Sequence, residues 1–361
     1  MAANPQARPV KCVIWDLDNT VWDGVLLEDP SVRPRPEVLH VLRTLDDRGI
    51  LHSIASRNDS SAARAKLAEL GIGDLFLYPQ INWGSKSESV ATIVARLNIN
   101  PDAVAFVDDQ AFEREEVNSR LPDVRCVDAT EVAGLPALPA YQPAFVTEES
   151  RQRRHLYRAG IDRDCAAEEF TGTSEEFLAT LDMVFTISPA TVDDLRRAEE
   201  LTVRTHQLNT TGRTYSFEEL EQLQRSEDHL LVLAELTDRF GSYGKIGLAL
   251  VELGERAWRV RLLLMSCRVM SRGVGTVLLN EIQRLAAAKG VRLEADFVAN
   301  DRNRMMYVTY RMGGFREVRR DGDEVVLEGP AGDVPASPPY LRVHGLSGAG
   351  AREDLARAGH G

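Results

Sequence analysis

Short apolar runs alternate with helix-period segments through the first third of the chain. Cys12-Val-Ile-Trp15, Ile50-Leu-His-Ser-Ile-Ala-Ser56 and Ala103-Val-Ala-Phe-Val107 are brief and bounded by polar turns, so they read as buried strands. Between them, residues 35–48 place Val38, Leu42 and Leu45 at helical spacing, Asp59 precedes a helix that stops at Gly71, and residues 85–97 form another helical stretch. Strands alternating with amphipathic helices predict a parallel sheet covered on both faces. Little chain separates Thr20 from the strand at Leu51, which leaves little room for a large inserted cap, and an uncapped site could admit a substrate tethered to a protein.

The pattern changes at Gly134-Leu-Pro-Ala-Leu-Pro-Ala-Tyr-Gln-Pro143, whose prolines predict a linker. A polar helical segment over residues 148–158 follows, and a second domain opens near Thr180. There Thr191 caps a helix carrying Leu195, Ala198 and Leu201 on one face, and Ser216-Phe-Glu-Glu219 is a capping box. Strands are predicted at residues 229–235, 245–252, 257–265 and 292–298, with a helix over 273–289. The expected plan is a disordered leader at 1–10, a parallel α/β domain at 11–133, a linker with a helical segment at 134–179, a second α/β domain at 180–330 and a disordered tail at 331–361, where Gly, Ala, Pro and charge replace any periodic pattern.

Composition narrows this picture. A chain of 361 residues suits two domains, each large enough for its own core, and 43% hydrophobic content is ordinary for a globular protein. No apolar run approaches the ~20 residues that span a bilayer, and residues 1–10 lack the apolar centre of a signal peptide, so no membrane association and a cytoplasmic location are expected. Cys12, Cys126, Cys165 and Cys267 are scattered without C-x-x-C spacing and are expected to be free thiols. A net charge of −12 argues against a nucleic-acid partner. An acidic protein partner would need a local arginine patch. Arg151-Gln-Arg-Arg154 is one candidate, with a solvated helix face as its ordinary reading.

The chemistry begins with Asp16-Leu-Asp18-Asn-Thr20 at the tip of the first strand. Asp16 would attack phosphorus, and Asp18 would carry the proton to and from the leaving group. Mg²⁺ held by Asp16, the Asp18 carbonyl and a distant carboxylate would let one anion approach another. Asp108-Asp109, at the end of a later strand, supplies the missing carboxylates. Ser56 could bind a phosphate oxygen and Lys86 could neutralise phosphoryl charge. Each has an ordinary alternative: Asp-rich turns, a helix cap for Ser56, a solvated charge for Lys86. Their shared position at strand ends favours a site, because ligands of such sheets gather outside the carboxyl ends of the strands.

At these residues the chain resembles the haloacid dehalogenase superfamily of phosphotransferases. The longer strings Trp15-Asp-Leu-Asp-Asn-Thr-Val-Trp-Asp-Gly24, Ile54-Ala-Ser-Arg-Asn-Asp59, Tyr78-Pro-Gln-Ile-Asn-Trp-Gly84 and Asp108-Asp-Gln-Ala-Phe-Glu-Arg-Glu-Glu116 look more narrowly like the FkbH family. That resemblance implies a Rossmann-like sheet without a large cap. It also implies phosphate and substrate binding by Ser56, Arg57, Asn58 and Lys86, and an Mg²⁺ site at Asp16, Asp18, Asp108 and Asp109. The activity implied is capture of 1,3-bisphosphoglycerate, transfer of its glyceryl group to the phosphopantetheine thiol of an acyl carrier protein, and removal of the phosphate.

In the second half, Cys267-Arg-Val-Met-Ser-Arg272-Gly-Val-Gly275 joins a strand to a helix, and its glycines could bare N–H groups to a pyrophosphate or simply allow close packing. The loop, with Asn300-Asp-Arg-Asn303 and Tyr310-Arg-Met-Gly-Gly-Phe315, resembles the GNAT acyltransferase fold. The resemblance implies a pantetheine groove using Arg268, Arg272, Gly273 and Gly275. Cys267, beside Arg268 and a helix start, is a candidate thiolate nucleophile or a small buried strand-end residue. His206 and Asn209 could orient or deprotonate it, or bond structurally. Two other functions remain open: a non-catalytic module that docks a carrier protein, and a small-molecule phosphatase joined to an independent N-acyltransferase.

Overall fold

The computed structural model describes residues 9–346 apart from 30, 206–207 and 332–333. The chain divides into two compact units, Met1–Arg158 and Ala159–Gly361.

In the first unit, β1 (Cys12–Trp15) leads through a short antiparallel pair, β2 (Trp22–Asp23) and β3 (Arg33–Pro34), to α1 (Pro36–Asp47). There follow β4 (Leu51–Ser56), α2 (Ser60–Glu69), β5 (Gln80–Ile81), α3 (Lys86–Leu97), β6 (Val104–Asp108), α4 (Ala111–Arg120) and β7 (Arg125–Asp128). The strands form one parallel sheet in the order β5-β4-β1-β6-β7. β1 is central and wholly buried, as expected of a strand with helices on both faces. Trp15 pairs in register with Ile54 on one side and Val107 on the other, so Asp16, Ser56 and Asp108 arrive together at the carboxyl edge. Among the described residues, the small β2–β3 flap alone occupies the place where a cap would be inserted.

Local signals set the helix starts. Asp59 accepts from the Ala62 amide at 2.8 Å and Ser85 accepts from the Glu88 amide at 3.3 Å, each satisfying an otherwise orphaned N–H. Below the site, the Trp15 indole donates to His52 Nδ1 at 3.0 Å, and His52 Nε2 donates to the Leu42 carbonyl at 2.9 Å. This pair of bonds fixes a neutral imidazole, and burial pushes its pKa down to about 4.

The proline-rich stretch expected to be a linker is part of the first unit. It forms 3₁₀ segments at Ala129–Ala137 and Pro139–Tyr141, with Leu135, Ala140 and Tyr141 buried. The Ala140 carbonyl accepts from Val10 N at 2.8 Å, and Arg48 donates to the carbonyls of Pro136 at 2.7 Å and Tyr141 at 3.0 Å. Proline punctuates the chain here, but the apolar residues between the prolines give the segment something to bury. Val10, placed in the expected disordered leader, is buried by the same contact; residues 1–8 lie outside the described residues. Two of the three arginines of the patch are engaged locally. Arg154 grips both Asp46 oxygens at 3.0 and 3.2 Å, and Arg153 donates to the Gly49 carbonyl at 3.1 Å.

Helices α5 (Glu148–Arg151), α6 (Arg153–Glu169) and α7 (Ser174–Ala179) precede the second sheet. Its elements are β8 (Met183–Pro189), α8 (Leu195–Arg204), α9 (Phe217–Arg225), β9 (His229–Asp238), β10 (Gly241–Glu252), β11 (Ala257–Met265), α10 (Val274–Ala288), β12 (Arg292–Val298), α11 (Arg304–Met312), β13 (Arg316–Asp321), β14 (Glu324–Glu328) and β15 (Leu341–His344). They form a mixed sheet ordered β13-β14-β12-β11-β10-β9-β8-β15, in which β11–β12 and β8–β15 run parallel. Apolar clusters line both faces, one under α10 and α11 and one under α8 and α9. The expected order of a parallel, uncapped α/β unit followed by a second α/β unit therefore holds, and the second sheet is mixed. The tail departs from expectation. Within the stretch read as disordered from 331, β15 pairs with β8, and Leu341 and Leu346 are buried. A four-residue strand is too short to stand out against Gly- and Pro-rich surroundings. Residues 332–333 and 347–361 lie outside the described residues.

Candidate active site

Three carboxylates and one ammonium meet at the carboxyl edge of the parallel sheet. Asp16 follows β1, Asp108 ends β6 and Asp109 follows it; one oxygen from each lies within 4.8 Å of the others. Lys86, the first residue of α3, donates to Asp16 Oδ1, to Asp108 Oδ2 at 3.0 Å and to the Ala55 carbonyl at 2.9 Å. Asp16, Asp108 and Lys86 are all buried. Backbone bonds hold the frame: Asp16 N donates to the Val107 carbonyl at 2.9 Å, and Gln110 N to Asp108 Oδ1 at 2.8 Å. Burial pushes the Asp16 carboxyl above the ordinary range; Lys86 works against this and Asp108 adds to it. Asp109 is raised by burial and by Asp108. For Lys86 burial disfavours the charge, but the two aspartates outweigh it and hold the pKa above its usual value.

A divalent cation fits this donor set. Three carboxylates face one ammonium, so full ionisation leaves an excess of negative charge, and Asp109 Oδ1 is buried with no hydrogen-bond partner. Hard oxygen donors of this kind suit Mg²⁺-type ions. Asp18 stands apart from the cluster. Its carboxylate accepts from the Trp22 indole at 2.7 Å, Leu26 N at 3.1 Å and Asn58 Nδ2 at 2.9 Å. Any metal contact from Asp18 therefore falls to its backbone carbonyl, while its half-buried carboxylate is held by three donors.

The other expected residues of the first unit sit close by. Ser56 ends β4 and is buried; Asn58 is buried and ties to Asp18. Arg57, expected to bind phosphate, is engaged as a strut: Nε donates to the Gly84 carbonyl at 3.1 Å, and Nη1 meets Glu113 Oε1 at 2.9 Å. Sequence reasoning missed Glu113 and Glu116. Glu116 accepts from the Ser87 amide at 3.0 Å and from its hydroxyl, which ties α4 to the first turn of α3 and so helps place Lys86. Glu113 Oε2 and the Thr20 hydroxyl are buried without partners. A Glu at i and i+3 on the helix after Asp108-Asp109 was the only available signal, and it reads equally as a solvated face.

In the second unit, Cys267–Arg272 forms a 3₁₀ segment between β11 and α10; the side chain of Cys267 is outside the described residues, as is the whole of His206. Gly273 adopts φ 70° at the α10 N-cap, a left-handed conformation that favours glycine. A Cβ on Gly275 would lie 3.3 Å from Met265 Cγ and 3.5 Å from Thr309 Cγ2, so close packing is one reason for glycine there. Arg268 Nε donates to the Ser266 hydroxyl at 3.3 Å, and Arg272 Nε is buried without a partner.

Asn209 does not offer a free amide. Its Oδ1 accepts from Thr211 N at 3.1 Å and Gly212 N at 2.8 Å, and its Nδ2 donates to the Arg213 carbonyl at 3.1 Å. β11 and β12 pair only from Ala257–Val260 with Arg292–Ala295. Beyond that point Leu208–Thr210 bonds to both strands: Thr210 N donates to the Leu263 carbonyl at 3.0 Å, Met265 N to Leu208 O at 2.9 Å and Val298 N to Thr210 O at 2.9 Å. The opening beside the expected pantetheine loop is thus lined by the chain's own backbone. Cys12, Cys126 and Cys165 are free thiols. Burial pushes Cys12 up strongly and Cys126 to about 11, which disfavours thiolate chemistry at either.

A family model described as hydrolase, haloacid dehalogenase-like hydrolase, matches residues 23–113. That span holds Ser56, Lys86, Asp108 and Asp109 and begins after Asp16 and Asp18. The first unit is a haloacid dehalogenase-like hydrolase domain. Among solved structures the chain is similar to the N-terminal part of a Bacteroides fragilis protein containing a phosphatase domain complexed with Mg. That likeness has 26% identity and a TM-score of 0.34, covering 38% of this chain and 42% of that one. It is also similar to the ribosomal-protein-S18-alanine N-acetyltransferase of Escherichia coli, at 19% identity and a TM-score of 0.34, over 43% of this chain and 97% of that one. The PaiA N-acetyltransferase of Thermoplasma acidophilum in complex with coenzyme A is similar at 19% identity and a TM-score of 0.31, over 40% and 98% of the two chains. No curated protein matches the chain. No helix among the described residues is long and apolar enough to cross a membrane.

Proposed function

We propose that the first unit catalyses metal-assisted phosphoryl transfer through a phosphorylated Asp16. The observation that carries this reading is the buried group of Asp16, Asp108 and Asp109 with Lys86 bridging the first two. Asp16 attacks phosphorus, and the P–O bond to the leaving group breaks as the P–O bond to Asp16 forms. Asp18, held by Trp22, Leu26 N and Asn58, gives the leaving oxygen its proton and later takes one from the attacking water. Lys86 balances the charge that develops on the phosphoryl oxygens, and Ser56 at the end of β4 offers a hydroxyl to one of them. Mg²⁺ held by Asp16, Asp108, Asp109 and the Asp18 carbonyl would supply charge neutralisation between the carboxylate and the incoming phosphate.

The narrower reading, a glyceryltransferase of FkbH type, rests on the four strings around these residues. In it, 1,3-bisphosphoglycerate is the donor, the phosphopantetheine thiol of an acyl carrier protein is the acceptor, and the remaining phosphate is removed at Asp16. Arg268, Arg272, Gly273 and Gly275 would meet the pantetheine arm, and Cys267 with His206 would carry the glyceryl group. The test is mass spectrometry of holo and apo carrier protein incubated with the chain, Mg²⁺ and 1,3-bisphosphoglycerate. A glyceryl mass on the holo form alone supports the transferase. Phosphate release without any change to the carrier leaves the phosphatase alone. Binding of both forms without chemistry under any donor favours the docking module.

A further inference from the structure

Helix α11 buries Met306 and Tyr310 and turns Met305, Val308 and Met312 outward, at the i, i+3, i+7 spacing of one helix face. These residues are 48%, 36% and 70% exposed, and Val318 on β13 is 55% exposed. The two elements are joined by the Tyr307 hydroxyl, which donates to Glu317 Oε1 at 2.7 Å. β13 is the edge strand of its sheet and every residue in it is exposed.

Charge frames this apolar stripe. Residues 301–320 hold six arginines against Asp301 and Glu317, within a chain whose net charge is −12. Arg320 is bonded to Glu317, and Arg311 donates to the Phe315 carbonyl at 3.2 Å. Arg304, Arg316 and Arg319 are exposed and make no side-chain bond or ion pair among the described residues. Three acids gather instead around the β13–β14 turn: Asp321 ends β13, Asp323 lies in the turn and Glu324 opens β14. A flexible thioether face edged by unpaired guanidinium groups suits an acidic protein surface: methionine adapts its shape, and the arginines steer and register the partner. Nucleic acid is disfavoured by the chain's net charge of −12 and by an apolar stripe that contacts to a phosphate backbone would leave unused.

We propose that the outer face of α11 and β13 docks an acidic partner protein, the part a carrier protein plays in the transferase reading, on which this inference rests. The test measures the affinity of the full chain for an acidic holo acyl carrier protein by calorimetry at low and high salt. Mg²⁺-dependent phosphate release from a small aryl phosphate is followed in parallel. Reversing two charges together, Arg304→Glu with Arg319→Glu, should weaken binding by about tenfold or more at low salt. Met312→Ser should weaken it several-fold with little change in salt dependence, and both variants should release phosphate at the wild-type rate. Unchanged affinity in both variants, or no binding by the wild type, overturns the proposal. Tighter wild-type binding to a short DNA duplex or to phosphatidylserine vesicles than to the carrier also overturns it. Weakened docking in the variants with no phosphate release by the wild type keeps the face and removes the phosphoryl-transfer reading. Glyceryl transfer with an unaltered KM for the carrier in both variants does the reverse.

Discussion

The two units treat buried charge in opposite ways. In the second, the most deeply buried ions are paired: Arg163 grips Asp238 at 2.5 and 3.0 Å and stacks 3.7 Å from the Tyr243 ring centre. Arg197 meets Glu200 at 2.8 Å, and Arg259 and Arg261 share Asp296. In the first, Asp16, Asp108 and Asp109 confront a single lysine, and Asp109 Oδ1 has no partner at all. An uncompensated charge is costly to bury, so a fold that keeps one has a use for it. Balanced pairs hold the second unit together; the surplus of negative charge in the first suits a cation, which the proposed phosphoryl transfer would use.

The strongest way to break that contrast is to remove Asp16. Asp16→Asn should lower phosphate release by about a thousandfold or more, since it removes the nucleophile, while circular dichroism stays native. Mg²⁺-dependent release that persisted would end the assignment. Arg163→Met should do the opposite. It strands Asp238 in the core and should cost about 3–5 kcal/mol in denaturant unfolding of the second unit. The rate of phosphate release per folded molecule should not change.

What the sequence revealed follows the same division. Strand-tip chemistry is local: Asp16-Leu-Asp18 and Asp108-Asp109 each end an apolar run, and the parallel register then brings them together. Helix caps were equally readable, and Ser216 and Glu219 do form the reciprocal pair. Long-range pairings were not. Nothing near Arg57 announces Glu113, because the two meet only when α4 packs beside the β4 loop. Leu208–Thr210 carries no strand pattern, yet its backbone completes the opening between β11 and β12. Proline content misled at 134–143, where the buried Leu135, Ala140 and Tyr141 mattered more.

A smaller effect should appear on titration without metal. Burial raises Asp16 to about 6, so the folded protein holds a proton that the unfolded chain releases near the ordinary carboxylate value. The contribution of this group to stability is therefore present below about 4 and lost as pH rises through about 6. With EDTA, the wild type should lose stability relative to Asp16→Asn across that interval. Mg²⁺ should flatten the difference, because a bound cation favours the ionised carboxylate. An identical pH profile for the two proteins in EDTA would mean that Asp16 is no harder to ionise in the fold than in the unfolded chain.

The least costly change separates structure from chemistry most cleanly. Asp59 caps α2 and Ser216 caps α9, each through one side-chain bond to a backbone amide, at 2.8 and 3.2 Å. Asp59→Ala and Ser216→Ala should each cost about 1 kcal/mol by thermal or denaturant unfolding. Their effects on phosphate release should differ. Asp59 N donates to Asn58 Oδ1 at 2.9 Å, and Asn58 Nδ2 holds Asp18 at 2.9 Å, so a frayed α2 loosens the residue that carries the proton. Asp59→Ala should therefore slow release several-fold with KM little altered, while Ser216→Ala leaves it unchanged. Equal rates in both variants would mean that the Asn58–Asp18 contact survives without its cap, and that Trp22 and Leu26 alone suffice to hold Asp18 in place.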